Sequence, residues 1–151
     1  ETGAMPSWFV PQANGDIWLY YTGWNRTHNS YRLSMGLAVS TDGGLTWSIP
    51  TDAIGLVDPV CQGSLISTTT GNQHTLFFSN PSSITRTNMT IKMSTDNGGT
   101  WTKAYSVFTG MSAYSDLVMI ENNEVGILYE AGVSRFSDGI AFRNVNVTEF
   151  K

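Results

Sequence analysis

The chain has a single cysteine, so Cys61 finds no disulfide partner within the 151 residues, and a disulfide-stapled framework is excluded. Charged residues make up only 13% of the sequence, and Ala, Glu, Lys and Arg, the strong helix formers apart from Leu, are scarce. No basic run occurs and the formal net charge is -4, which argues against a nucleic-acid surface. No apolar run approaches the ~20 residues that a membrane-spanning helix needs. The two histidines, His28 and His74, and Cys61 carry no metal-ligand spacing, so no metal and no cofactor is expected. A catalytic thiol would want a neighbouring cation, and a lone Cys among apolar neighbours reads as a small buried hydrophobe. No glutamate occurs between Glu1 and Glu121.

What the chain has is aromatic residues and turns. Five Trp, six Tyr and seven Phe suit half-buried pleated surfaces. Asn25-Arg26-Thr27, Asn88-Met89-Thr90 and Asn146-Val147-Thr148 match N-x-[ST], which makes Asn25, Asn88 and Asn146 candidate N-glycosylation sites. Glu1-Thr2-Gly3 reads as a scar from a secretion vector and is set aside for fold reasoning. These features favour a secreted or lysosomal glycoprotein, whereas the lack of disulfides points weakly to a reducing compartment.

An internal repeat organises the rest. Ser40-Thr41-Asp42-Gly43-Gly44-Leu45-Thr46-Trp47 recurs as Ser94-Thr95-Asp96-Asn97-Gly98-Gly99-Thr100-Trp101, both fitting S-x-D-x-G-x-T-W and starting 54 residues apart. In each, Asp42 or Asp96 is placed to accept backbone N–H bonds across a tight turn. Gly44 or Gly98 supplies a left-handed position, and Trp47 or Trp101 plugs the gap between neighbouring hairpins. Alternating segments precede both boxes, which reads as strand, turn, strand. Reading outward gives three units of about four strands each, over 4–56, 57–110 and 111–151. A Gly-rich turn at Thr109-Gly110-Met111-Ser112 separates the last two. Units of this size are propeller blades. The chain is therefore expected to be all-β, a partial propeller of about three four-stranded blades. Three blades cannot close a ring, so the chain is expected to be incomplete by itself: a fragment, one half of a split protein, or a protomer whose partner, a second copy or a separate chain, supplies the other blades.

With these boxes the chain resembles the BNR/Asp-box sialidases, whose catalytic domain is a six-bladed propeller. The more specific likeness lies in residues 57–145. Cys61-Gln62-Gly63-Ser64, Phe77-Phe78-Ser79-Asn80-Pro81, Arg86, the second box, Ala113-Tyr114-Ser115-Asp116-Leu117 and Leu128-Tyr129-Glu130 run in the order of the C-terminal half of that domain. The resemblance implies a glycosidase acting on terminal sialic acid, with a sialylated glycan as partner. Sialic acid carries a carboxylate at its anomeric carbon, where a carboxylate nucleophile would be repelled and a neutral phenol is not. Tyr114 matches the family nucleophile and Arg86 the third of three arginines that grip the substrate carboxylate. Glu130 matches the acid that orients the first arginine.

The match is partial. Nothing here corresponds to the family's first arginine or its acid/base Asp. The Glu partner of the tyrosine would fall near Met5–Ser7 and the second arginine near Thr22, with Arg26 a displaced candidate inside a sequon. The segment from Asp16 to Trp24 looks more like a blade of fructosidase- or arabinanase-type propellers. Without a base a phenol, whose ordinary pKa is ~10, is a poor nucleophile. Two further readings therefore stand beside the enzyme: a degenerate propeller that binds sialoglycans or a protein partner, and a purely structural role.

Overall fold

The protein is described here as a computed structural model. It covers the backbone of residues 3–27, 30–120 and 123–151, and their side chains apart from those at 3–5, 7, 24–27 and 30–34. The described residues form ten strands and one 3-10 turn. The strands are β1 (Gly3–Pro11), β2 (Ile17–Thr27), β3 (Ser30–Ser40), β4 (Thr51–Asp52), β5 (Ser64–Thr70), β6 (Gln73–Pro81), β7 (Thr87–Ser94), β8 (Lys103–Ile120), β9 (Glu124–Gly132) and β10 (Gly139–Asn146). The chain divides into two compact units, Glu1–Leu56 and Val57–Lys151.

The first unit is an antiparallel sheet in the order β1-β2-β3-β4. The turn at Asn14-Gly15 has Gly15 at φ 88°, a left-handed value that favours glycine. Tyr20, Tyr21, Met35 and Ala38 are buried. Thr22 is buried too, with its hydroxyl 3.7 Å from the Met35 sulfur.

The second unit is a six-stranded sheet in the order β10-β9-β8-β7-β6-β5. Its strands alternate as pleated strands must. Met89, Ile91 and Met93 of β7 and Val125, Ile127 and Tyr129 of β9 point into one core with Phe77, Val107, Leu117, Val145 and Phe150. Asn146 and Glu149 form a reciprocal cap around the 3-10 turn Val147–Glu149. This turn carries Phe150 to within 5.5 Å, ring centre to ring centre, of Phe77.

The two boxes carry the same hydrogen bonds. Thr46 donates its N–H to Asp42 Oδ1 (2.9 Å) and its hydroxyl to Asp42 Oδ2 (2.6 Å), and Gly44 N–H donates to Ser40 Oγ (2.8 Å). Thr100, Asp96, Gly98 and Ser94 repeat this at 2.8, 2.7 and 2.8 Å. Gly44 and Gly98 lie at φ 93° and 91°. The hydrogen bonds from the Thr46 hydroxyl and N–H and from Ser40 hold Asp42 at a pKa of about 2. At Asp96, burial pushes the pKa up, but bonds from Ser94 and Thr100 outweigh it and leave it lowered.

One expectation is corrected, at Thr109–Ser112, while the two indoles each pack on a ring of a neighbouring hairpin. Trp47, on the β3–β4 connection, meets Phe9 of β1 (6.0 Å), and Trp101, on the β7–β8 connection, meets Phe78 of β6 (6.2 Å). The stretch Thr109–Ser112 is not a turn. It lies inside β8, whose 18 residues pair first with β7 and then with β9. An extra β8 residue there, opposite left-handed Asn88 (φ 63°), shifts the register without breaking the strand.

The burial of the two indoles sets an expected ranking. Trp101 is 7% exposed and Trp47 only half-buried. Trp101→Ala is expected to cost about 3–5 kcal/mol, and Trp47→Ala roughly 1–2 kcal/mol. Urea denaturation measures both, and equal losses would contradict the packing described.

Candidate functional site

A further irregularity in β8, this one against β9, builds the site. Ser112 pairs with Ala131 and Ser115 with Tyr129, so two residues, Ala113 and Tyr114, stand opposite one, Glu130. Such a bulge re-aims a side chain and leaves a ladder N–H without its usual acceptor. Here the Tyr114 N–H donates to Glu130 Oε2 at 3.2 Å. Ala113 is buried, while the Tyr114 ring is 50% exposed. β9 sends Tyr129 and Ile127 to the core, leaving Glu130 and Leu128 on the opposite face with Tyr114 and Asp116.

Arg86 reaches this bulge from the segment just before β7. Its carbonyl accepts the Ser112 N–H at 2.9 Å, continuing the β7–β8 ladder towards Tyr114. Its Nη2 donates to the Val60 carbonyl at 2.7 Å. The guanidinium carbon lies 5.5 Å from the Tyr114 ring centre and 5.0 Å from that of Phe136. Arg86, Tyr114 and Glu130, separate in sequence, thus form one cluster.

The segment before β5 carries unusual features. Val60 has φ 66°, a left-handed conformation that β-branched residues rarely adopt. Asp58 Oδ1 accepts the Cys61 N–H at 2.9 Å, while Oδ2 is buried without a partner among the described residues. Burial pushes the Asp58 carboxyl up, against the opposing pull of hydrogen bonds from Cys61, Val60 and Asn80 and of the Arg86 charge. Cys61 is fully buried, and burial foremost pushes its thiol up to about 11. At neutral pH it is a packed thiol, not a nucleophile.

A cavity of about 490 Å³ opens beside Tyr114, lined among others by Gln62, Asp116, Leu128, Glu130 and Ile140. Its floor is tied down by polar contacts. Ser64 Oγ donates to Asp116 Oδ1 (3.0 Å) and accepts the Leu117 N–H (3.1 Å), Gln62 Oε1 accepts the Ser115 N–H (3.4 Å), and Ser115 Oγ lies 2.8 Å from Ser79 Oγ. Among the described residues no three His, Cys, Asp or Glu side chains cluster as metal ligands. No helix among them is long and apolar enough to cross a membrane.

The other expected residues are placed as follows. Asn88 sits in the first β8 bulge region, its amide donating to the Ser82 carbonyl at 3.4 Å and accepting from Ser106 at 3.2 Å. Asn146 Oδ1 accepts from Thr148 N–H and hydroxyl. The side chains of Asn25, Arg26, Met5 and Ser7, and the residues His28, Glu121 and Asn122, lie outside the described set. Burial of Thr22 beside Met35 makes that position unsuited to binding an anion. Sequence reasoning missed Asp58, Val60 and Phe136. Asp58-Pro59 is a legible turn signal, but nothing in the local pattern marks Val60 as left-handed or aims Phe136 at Arg86.

The fold is that of a sialidase-type β-propeller. The leech intramolecular trans-sialidase complexed with 2,7-anhydro-Neu5Ac superposes on 97% of this chain with a TM-score of 0.73 and 24% identity, and the match takes in 24% of that chain. A sialidase of Bacteroides fragilis is 34% identical over 69% of this chain, and one of Micromonospora viridifaciens is 35% identical over 74%. These alignments take in 21% and 18% of the two proteins, so the chain spans about a fifth of their length. Residues 6–128 match the family of BNR repeat-like domains, and the chain belongs to that BNR/sialidase family.

The half-buried Asp58 makes a testable claim about pH. Its folded-state pKa is raised above 3.8, so the folded form holds the proton more tightly than the unfolded one. The associated stability is fully present below that value and is lost as pH rises through the folded pKa. Asp58→Asn is therefore expected to gain in melting temperature relative to wild type as pH goes from 3 to 7. A relative melting temperature that falls over this range contradicts the assignment.

Proposed function

We propose that this chain is part of the catalytic propeller of an exo-sialidase-type glycoside hydrolase, with Tyr114 as nucleophile. The observation that carries the reading is the convergence of the Arg86 guanidinium on the Tyr114 ring, with Glu130 fastened to the same bulge, beside an open cavity. In this reading Arg86 pairs with the anomeric carboxylate of terminal sialic acid. The Tyr114 oxygen attacks the anomeric carbon as the glycosidic bond breaks, its own proton passing to a base and the leaving oxygen taking one from an acid. Water then displaces the tyrosine and releases the sugar with net retention. Glu130 secures the bulge and is within the cluster where a further arginine would bind. The base, the acid and the remaining arginines come from further blades, in the same polypeptide, a second copy or a separate chain.

The alternative is a sialoglycan- or protein-binding propeller without turnover. It is favoured by the sequence, in which no glutamate between Glu1 and Glu121 stands where the family places the base for the tyrosine. Hydrolysis of a fluorogenic sialoside separates the readings. Tyr114→Phe is expected to lower turnover at least ~100-fold while leaving sialoside binding in place. Wild-type turnover no higher than that of the mutant removes the enzyme reading. A monomeric mass for the active species in solution scattering removes pairing with a second copy.

Three sequons support a secretory-pathway location. Protein from a eukaryotic secretory host is expected to lose mass on N-glycosidase digestion, and an unchanged mass argues against it.

A further inference from the structure

We infer that the loop joining β9 to β10 is a positioning element for Arg86: a turn closed by the Asp138 carboxylate presents Phe136 as the surface on which the guanidinium is laid beside Tyr114. The inference rests on the reading of Arg86 as the group that grips the substrate carboxylate.

The loop owes its shape to its own backbone. Three consecutive N–H groups, of Val133, Ser134 and Arg135, donate to the single oxygen Asp138 Oδ2 at 3.1, 2.8 and 3.0 Å. The Asp138 N–H returns a bond to the Arg135 carbonyl at 3.2 Å. The bonds from Arg135 and Ser134 lower the Asp138 pKa, so the carboxylate that gathers the turn is ionised at neutral pH. At the loop's start a Cβ on Gly132 would run into the Arg135 carbonyl, so only glycine admits this closure.

The one large side chain the loop aims inward is Phe136. Val133 is 94% exposed, whereas Phe136 is 38% exposed with its ring 5.0 Å from the Arg86 guanidinium carbon. An aromatic on an exposed turn adds little to a core, but its face attracts a cation and its plane matches the flat guanidinium. With Nη2 bonded to Val60 and the ring faces of Phe136 and Tyr114 alongside, the guanidinium is held in one pose. Holding it before substrate arrives removes an ordering cost from binding. Phe136 and Asp138 are thus positioning residues that need touch no substrate.

Arginine-selective ¹⁵N labelling tests this without relying on activity. The Arg86 Nε–H lies near aromatic faces, and its ring-current shift reports the stack. Arg143, whose guanidinium carbon is 5.3 Å from the Tyr105 ring, serves as an internal control. Phe136→Leu is expected to move the Arg86 resonance downfield and leave that of Arg143 in place. Phe136→Tyr should restore it, and Asp138→Ala should move it as Phe136→Leu does. An unmoved Arg86 resonance in Phe136→Leu overturns the inference, as does an unmoved one in Asp138→Ala. In sialoside kinetics, Phe136→Leu should raise KM roughly 2- to 30-fold with a smaller change in kcat, and an unchanged KM overturns it. If the wild type turns over no sialoside, the catalytic reading fails while the resonances still decide this inference.

Discussion

Glu130 satisfies a backbone donor that the β8–β9 ladder cannot use. Two residues of β8 face one of β9, so one N–H has no cross-strand carbonyl in register, and it is the N–H of Tyr114. An acceptor on a flexible loop would leave the bulge free to slip by a residue, which would turn every following side chain to the other face. Glu130 sits instead on the strand directly opposite, and its charge strengthens the bond. The register beyond the bulge then holds: Ser115 and Leu117 face the core, and Asp116 faces the cavity. One hydrogen bond thereby keeps the phenol on the open face and the core face intact.

The same logic of anchoring through backbone operates around Arg86. The Arg86 carbonyl is joined to Ser112 and its side chain to the Val60 carbonyl. The first bond ties its main chain to the strand that carries Tyr114. The second reaches back to a segment whose conformation is costly, with a left-handed valine worth roughly 1–3 kcal/mol of strain and a buried carboxylate oxygen left unpaired. That cost stands against a core in which Phe77, Ile91, Val125 and Ile127 are fully buried. Each contributes about 1.5–3 kcal/mol, so the sheet can carry a strained segment at its margin.

Much of this was legible in the sequence, for a physical reason. Turn chemistry is local: Asp42 with Thr46, and Asp96 with Thr100, are four residues apart and need nothing else to form their hydrogen bonds. Strand alternation is local too, which is why the segments before both boxes, in β3 and β7, could be read directly. The passage through Thr109–Ser112 could not. Its Thr, Gly and Ser residues are those of a turn, and what keeps it extended is the pairing of Thr87 with Met111 and of Ser112 with Ala131, contacts distant in sequence. The particular ring that Trp101 meets was not legible either, since only the register decides it. Of the cluster, the ordered set of Arg86, Tyr114 and Glu130 was visible as a resemblance. The bond between Glu130 and Tyr114 was not, because it depends on counting residues across a bulge.

The choice of arginine at position 86 follows from these constraints taken together. A lysine has the charge but presents a point ammonium on a flexible stem. It could donate to the Val60 carbonyl or sit over an aromatic ring, yet its charge would have no plane to be set by Phe136 and Tyr114. A guanidinium donates a hydrogen bond at one edge, lies flat against rings, and keeps further N–H groups in a fixed fork. The Val60 carbonyl takes one of its donors and the rings fix its plane. What remains is a directed pair of donors of the kind that matches a carboxylate, held where the bulge has already placed the phenol. The bulge and the stacked arginine therefore constrain a single geometry, one through the backbone and the other through a side chain. Loosening either would leave the other in place but without a counterpart.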